Sequence, residues 1–324
     1  MHRKVPGPPS SPPPPSYSHS NINREPVRHS QQRHRPLFEP AFARKGGLCF
    51  CHAAPEYSKR AYILSGYRPL CEDPNILASI FNSLSYFHNE SGNIYTHLIS
   101  LIAFVGIAVN HFFFANLELT FFDKLTSLLY FASVIFCFLA SFIYHALSHK
   151  PHRVYQKALS CDLIGIVMCI LGSYYIGLWI GFRCHLKYAF MYMAAITLMV
   201  LPLFGVIGVQ KLRQNHMVVA PAFSVVVAAG IIPTYHFGSI VDYSISSSLT
   251  IVISLLIMFS FYGTGLVLYA FQIPERRWPG YFDYVFASHQ WWHLCVTLAV
   301  FSQYIGVFYT FKRISQGLDA CKNH

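Results

Sequence analysis

The sequence predicts an all-α integral membrane protein. It has seven transmembrane helices and a short juxtamembrane helix before them, with the N-terminus inside and the C-terminus outside. Three observations carry this. Of 324 residues, 54% are hydrophobic and 11% charged, against about 25% charged in a soluble domain, so polar surface is too scarce for water. Seven windows of about twenty apolar residues match a hydrocarbon core of roughly 30 Å, and the mean hydropathy is +0.39. Lys and Arg are also unequally shared between alternate connections, which sets orientation.

The elements follow in order. Residues 1–55 read as a basic, unfolded cytosolic tail. Ten Lys/Arg face three Asp/Glu within residues 1–60, and runs such as Pro12–Pro15 cannot bury enough apolar surface to fold. No cleavable signal is apparent, because the N-terminus is polar and proline-rich rather than basic-then-apolar. Residues 56–92 form a juxtamembrane segment. Within it, apolar positions 76, 77, 80, 81, 84 and 87 follow helical spacing and predict a helix along the inner membrane face.

The transmembrane domain covers residues 93–311, with expected spans Ile94–Phe114, Leu125–Ala146, Ala158–Ile180, Tyr188–Val209, Met217–Phe237, Leu249–Phe271 and Val285–Phe311. Pro202, Pro221 and Pro233 lie in or near spans and predict kinks. Residues 312–324 are a short tail. Connections after even-numbered spans hold Lys150, Arg153, Lys157, Lys211, Arg213, Arg276 and Arg277; the others hold Lys124, Arg183 and Lys187. That bias puts the N-terminus inside, although Lys312, Arg313 and Lys322 pull the other way. The nine cysteines are odd in number and scattered, so no disulfide framework is expected. Cys137, Cys169 and Cys295 read as small buried hydrophobes. Cys49-Phe-Cys51-His52 lacks the second half of a metal site.

An ionisable residue within a span is a functional candidate by default. The only carboxylate in the expected spans is Asp162, and the histidines are His97, His111, His145, His236, His289 and His293. Span number sorts them by depth. His145 ends span two, Asp162 lies early in span three, and His289 and His293 open span seven, so all four share the inner side. His111 and His236 fall at the opposite face.

His289 and His293, four apart, lie a turn apart on one helix face. With His145 they make three imidazoles with an open fourth position, the pattern of a catalytic zinc site. Zinc lowers the pKa of a water in that position to roughly 7, and Asp162 is placed to carry its proton to a leaving group. Ser141, four residues before His145, shares its face and is placed to hydrogen-bond a ligand or substrate oxygen. Each residue has a plainer reading. The histidine pair can hydrogen-bond between helices, His145 can be interfacial like His149 and His152, and Asp162 can sit near a helix N-terminus for its dipole. Three imidazoles also suit iron or copper.

The chain resembles the progestin and adipoQ receptor family, within the adiponectin-receptor/haemolysin-III superfamily, over about residues 62–311. The resemblance rests on Leu64-Ser-Gly-Tyr-Arg-Pro69, Phe87-His-Asn-Glu-Ser-Gly-Asn-Ile-Tyr-Thr-His97, Ser141-Phe-Ile-Tyr-His145 with Asp162, Pro274-Glu-Arg-Arg-Trp-Pro-Gly-Tyr-Phe-Asp283 and Ser288-His-Gln-Trp-Trp-His293. It implies a seven-helix bundle with zinc near the inner leaflet. His145, His289 and His293 match the family's ligands, Asp162 the residue near the water, and Ser141 belongs to the same pattern.

The resemblance further implies ceramidase-like amide hydrolysis, releasing a sphingoid base and a fatty acid, while some members are described as hormone or steroid receptors. The expected partners are therefore ceramide or a related sphingolipid, the bilayer, and a protein ligand or signalling partner, not nucleic acid. The expected location is the plasma membrane or Golgi/ER membranes. Two departures bear on substrate. Tyr95 stands where tryptophan is common, and Trp291-Trp292 replaces smaller residues between the histidines and is expected to narrow the cavity. Glu90 and His97 are expected just below the bundle, either supporting the metal ligands from behind or capping a helix, with packing or hydrogen-bonding roles favoured. A retinal protein fits poorly, because it needs a lysine for its Schiff base and span seven has none before Lys312.

Overall fold

The computed structural model describes residues 47–241 and 246–318; most of the expected tail lies outside them. Residues 47–55, assigned to that tail, are partly structured: Cys49 pairs antiparallel with Tyr67 and Ala54 is buried. The helices are α1 (Ile76–Ser85), α2 (Ser91–Val109), α3 (Phe121–Ala146), α4 (His152–Gly181), α5 (Leu186–Gly208), α6 (Gln210–Arg213), α7 (His216–Ala228), α8 (Ile231–Ile240), α9 (Ser246–Phe271) and α10 (Ser288–Ser315). A π-helical turn, Asn110–Phe114, extends α2. Seven stretches are long and apolar enough to cross a membrane, α7 and α8 together making the fifth.

Boundaries differ from expectation where polar residues lie at helix ends. The first span begins at Ser91 and the third at His152, because a helix's first turns can be polar while a hydropathy window must be apolar. The fifth is interrupted. Pro202 and Pro221 sit inside α5 and α7, and the break falls instead at Ala229–Gly230, one turn before Pro233, which has no N–H to give Ala229. There the Tyr174 hydroxyl donates to the carbonyl of Val226 at 2.7 Å, finishing a backbone that lipid cannot.

The three helices that carry the polar residues form the centre. Buried shares of the apolar windows are 61% for α3 and 56% for α4 and α10, against 22% for the other spans. The pairs α3/α4 and α9/α10 are the most extensive packings. Gly172 allows the first: a Cβ there would lie 3.0 Å from Ser133 Cβ and 3.1 Å from the Leu129 carbonyl oxygen. Small residues at such seams are how membrane helices approach closely. At the far end, Asp123 accepts from Trp179 Nε1 at 2.7 Å and pairs with Arg183.

The end where α3 finishes and α10 begins is roofed by the segments before α1 and before α10. Gly66 has φ +82° and lies against the Tyr284 ring, a conformation and a gap that only glycine fits. Arg68 donates to the carbonyls of His145 (2.7 Å) and Ala146 (2.9 Å), meeting the orphan acceptors and negative pole of the α3 C-terminus. Asp283 accepts from the backbone N–H groups of Leu64 (2.9 Å) and Ser65 (2.7 Å), joining the two roof segments. Glu275 accepts from the N–H of Ser288 at 2.7 Å and from its hydroxyl, holding the first residue of α10. Cys184, in the α4–α5 turn, is disulfide-bonded, a single bond rather than a framework.

Candidate metal centre

His145 is the penultimate residue of α3, while His289 and His293 occupy the first two turns of α10. One nitrogen from each ring lies within 4.8 Å of the other two, and His145 and His293 are buried. The ring centroids are 4.6 to 5.1 Å apart.

Hydrogen bonding decides which nitrogens face inward. His145 Nδ1 lies 2.8 Å from Glu90 Oε2; an ionised carboxylate only accepts, so Nδ1 carries the proton and Nε2 a lone pair. The Thr96 hydroxyl gives its one proton to the Asn93 carbonyl at 3.0 Å, so at 3.1 Å from His293 Nδ1 it accepts. His293 is therefore also an Nδ1–H tautomer with a free Nε2. His289 Nε2 lies 3.3 Å from His145 Nε2. Ligands of a tetrahedral zinc at about 2.0–2.1 Å stand roughly 3.3 Å from one another, so the donor set fits the ion in chemistry and in this spacing.

Asp162 is not in the set of donors that mutually approach within 4.8 Å. It lies deeper along α4, with Ser141 as its side-chain hydrogen-bond partner. Tyr269 connects the two groups: its ring is 5.5 Å from that of His289, and it lies within electrostatic reach of Asp162. His111 bonds to Ser127 (3.2 Å) and His236 to Tyr192 (2.9 Å) at the other end.

Around the imidazoles is a layer that depth sorting did not reveal. Glu90 immediately precedes α2 and is buried. Besides His145, its carboxylate accepts from Asn93 Nδ2 at 2.6 Å and Arg60 Nε at 3.1 Å. Burial alone would push that carboxyl up, but the Arg60 charge and the His145 and Asn93 hydrogen bonds hold it well below the usual carboxylate range. His97 lies within α2 rather than below the bundle, stacked on His293 with centroids 3.7 Å apart. Neither of its ring nitrogens has a hydrogen-bond partner among the described residues. Glu90, Asn93 and His97 follow i, i+3, i+7 spacing, the signal from which one shared helix face was readable; Arg60, thirty residues earlier, had none. Of the two tryptophans, Trp292 packs on Tyr269 at 5.9 Å and Trp291 stacks on Phe286.

An apolar cavity lies further along the bundle, lined by Tyr174, Gly177, Phe237, Met258, Tyr262 and Gln303 among others. Tyr262 and Tyr269 are two turns apart on α9, so this cavity begins about 10 Å from the imidazoles along that helix.

Residues 85–304 match the family model described as haemolysin-III related. The chain is 32% identical over 270 residues to heptahelical transmembrane protein 1 of Arabidopsis thaliana, covering 79% of each chain. It is 30% identical over 251 residues to the adiponectin receptor protein of Drosophila melanogaster, covering 76% of this chain but 55% of that one. Thus it spans little more than half the length of that relative. Identity to human progestin and adipoQ receptor family member 3 is 27% over 262 residues, covering 74% of this chain and 78% of the relative. With seven membrane-crossing helices and this match over two thirds of its length, the chain belongs to the haemolysin-III-related family, alongside the adiponectin and progestin–adipoQ receptors.

Proposed function

We propose that this protein is a membrane-embedded, zinc-dependent amide hydrolase acting on ceramide or a related sphingolipid. The observation that carries the reading is the convergence of three imidazoles on α3 and α10, two with their tautomers set from behind. His145, His289 and His293 would hold the ion, which when bound supplies Lewis acidity toward the amide carbonyl and acidifies a water. Asp162 takes a proton from the attacking water and returns it to the departing nitrogen, while the carbon–nitrogen bond breaks to leave a fatty acid and a sphingoid base. Ser141 orients the Asp162 carboxyl. The apolar cavity along α9 suits an acyl or sphingoid chain, whose polar end then lies at the level of the site.

The expected orientation, with the N-terminus and the roof in the cytosol, agrees with the basic connections. It also agrees with the disulfide at Cys184, since such bonds persist on the oxidising side of a membrane. A second reading has its own observation. Asp162 stands outside the imidazole cluster, and the Drosophila relative carries the name receptor, as a seven-span signalling receptor or scaffold with a structural metal would.

The test is metal content and fatty-acid release from ceramide by purified protein in lipid, comparing wild type, Asp162→Asn and His293→Ala. The hydrolase reading expects zinc in wild type and Asp162→Asn, little in His293→Ala, and release by the wild type alone. Zinc without release from any of the three favours the receptor. Iron or copper in place of zinc overturns the assignment of the ion.

A further inference from the structure

We infer that Glu90 and Arg60 form a positioning pair for the metal centre, through which the segment preceding the first span sets the affinity of the imidazoles for their ion. This rests on the reading that His145, His289 and His293 hold a metal.

The geometry is a chain of three side chains from three parts of the fold. His145 comes from the end of α3, Glu90 from the turn before α2, and Arg60 from the roof. Glu90 reaches His145 Nδ1 at 2.8 Å and Arg60 Nε at 3.1 Å through opposite carboxylate oxygens. His145 is fully buried and the Glu90 side chain is 4% exposed, so water competes for neither. A carboxylate behind an imidazole fixes its ring and tautomer and raises the basicity of the nitrogen facing the metal. Asn93 fixes the carboxylate from its own helix. The backbone N–H of Arg60 in turn donates to the Tyr67 hydroxyl at 3.0 Å, and Tyr67 is buried within the Leu64–Pro69 block. The block is thereby connected to the metal centre through defined hydrogen bonds.

The two members of the pair act on the ion with opposite sign. Glu90 adds negative charge beside His145 and favours a bound cation. Arg60 neutralises that charge and disfavours it. Removing the carboxylate should weaken metal binding, whereas removing the guanidinium should strengthen it. Loss of fold would weaken binding in both cases, so opposite signs separate positioning from a structural role.

The experiment is zinc titration of purified full-length protein in lipid, in competition with a chelator of known affinity. Wild type is compared with Glu90→Gln, Arg60→Gln and His293→Ala, with Co2+ loading of each to read ligand-field bands. The expected result is a 10- to 100-fold weaker affinity in Glu90→Gln, the range found for outer-shell partners of metal ligands. Its cobalt spectrum should be altered, while affinity in Arg60→Gln is tighter than wild type. Wild-type affinity in Glu90→Gln overturns the positioning role and leaves the metal site standing. Weaker binding in both Glu90→Gln and Arg60→Gln overturns it in favour of a structural role. Equal zinc binding by wild type and His293→Ala overturns the metal site itself, and the pair with it.

Discussion

His149 makes the roof acid-labile, and the size of the effect can be worked from its surroundings. It sits between α3 and α4, buried, in a polar pocket shared with Ser58, Tyr67, Arg68, Asn89, Glu90 and Ser148. Burial, together with the Arg68 and Lys150 charges, pushes its imidazole down to about 3. An unfolded histidine titrates near 6.5, so between those values the unfolded chain binds the extra proton. His149 therefore contributes stability that is complete above about pH 6.5 and is lost as pH falls toward 3. Between pH 7 and pH 5 the loss is about 2 kcal/mol, or a drop in Tm of roughly 4–8 °C at 2–4 °C per kcal/mol. His149→Gln removes it.

Two neighbours must be held constant. His88, lowered mainly by burial and then by Arg68, shifts in the same direction. Asp283, pushed up to about 6 by burial, stabilises the fold as pH falls through that value. The measurement is accordingly the difference between variants. Tm of wild type and His149→Gln is recorded at pH 7 and pH 5 in one lipid mixture, and the variant should lose about 5 °C less on acidification. Equal losses would show that His149 is protonated in the folded protein, and would refute the reasoning.

Other positions give sharper, local outcomes. Glu275→Ala strips the N–H and hydroxyl of Ser288 of their acceptor. It should cost about 1–2 kcal/mol by thermal melting and weaken zinc retention in a chelator challenge, since α10 carries two imidazoles. Gly172→Ala places a methyl against Ser133 and the Leu129 carbonyl, and should destabilise by about 1–3 kcal/mol. Gly106→Ala, with nothing within 4 Å, should leave Tm unchanged. Asp123→Asn weakens the charge-assisted bonds to Arg183 and Trp179, for a loss of about 2 kcal/mol that zinc addition does not restore, because the site is at the other end of the bundle.

Much of this architecture was legible in the sequence because lipid is an unforgiving solvent. An ionisable residue within a span has few reasons to be there, so His145, His289 and His293 could be sorted by span number alone, and the structure brings their nitrogens together. Asp162 was sorted to the same side, yet lies deeper with Ser141, since span number gives the side but not the residue's position along it. Glu90 takes the hydrogen-bonding role expected of it, but its link to His145 was not legible, because it falls one residue outside the helix, where carboxylates are ordinary. Its partners Arg60 and His145 are thirty residues before and fifty-five after it. The prolines were visible, but not which of them would interrupt a span; that depended on Gly230 and on a tyrosine from another helix. Cys184 was hidden by the odd number of cysteines.

The interrupted fifth span has a consequence for how the chain enters the membrane. α7 has thirteen residues and α8 ten, about 20 and 15 Å of helix, and neither alone crosses a core of roughly 30 Å. The Val226 carbonyl, in the last turn of α7, is capped by Tyr174, a side chain of α4. A segment whose backbone is completed by another segment is not an autonomous insertion unit. Because α4 precedes it in the chain, its partner is already made when the fifth span emerges from the ribosome. Synthesis order thus becomes part of the structural specification: a circular permutant that delivered α7 and α8 before α4 would present the bilayer with an unfinished helix.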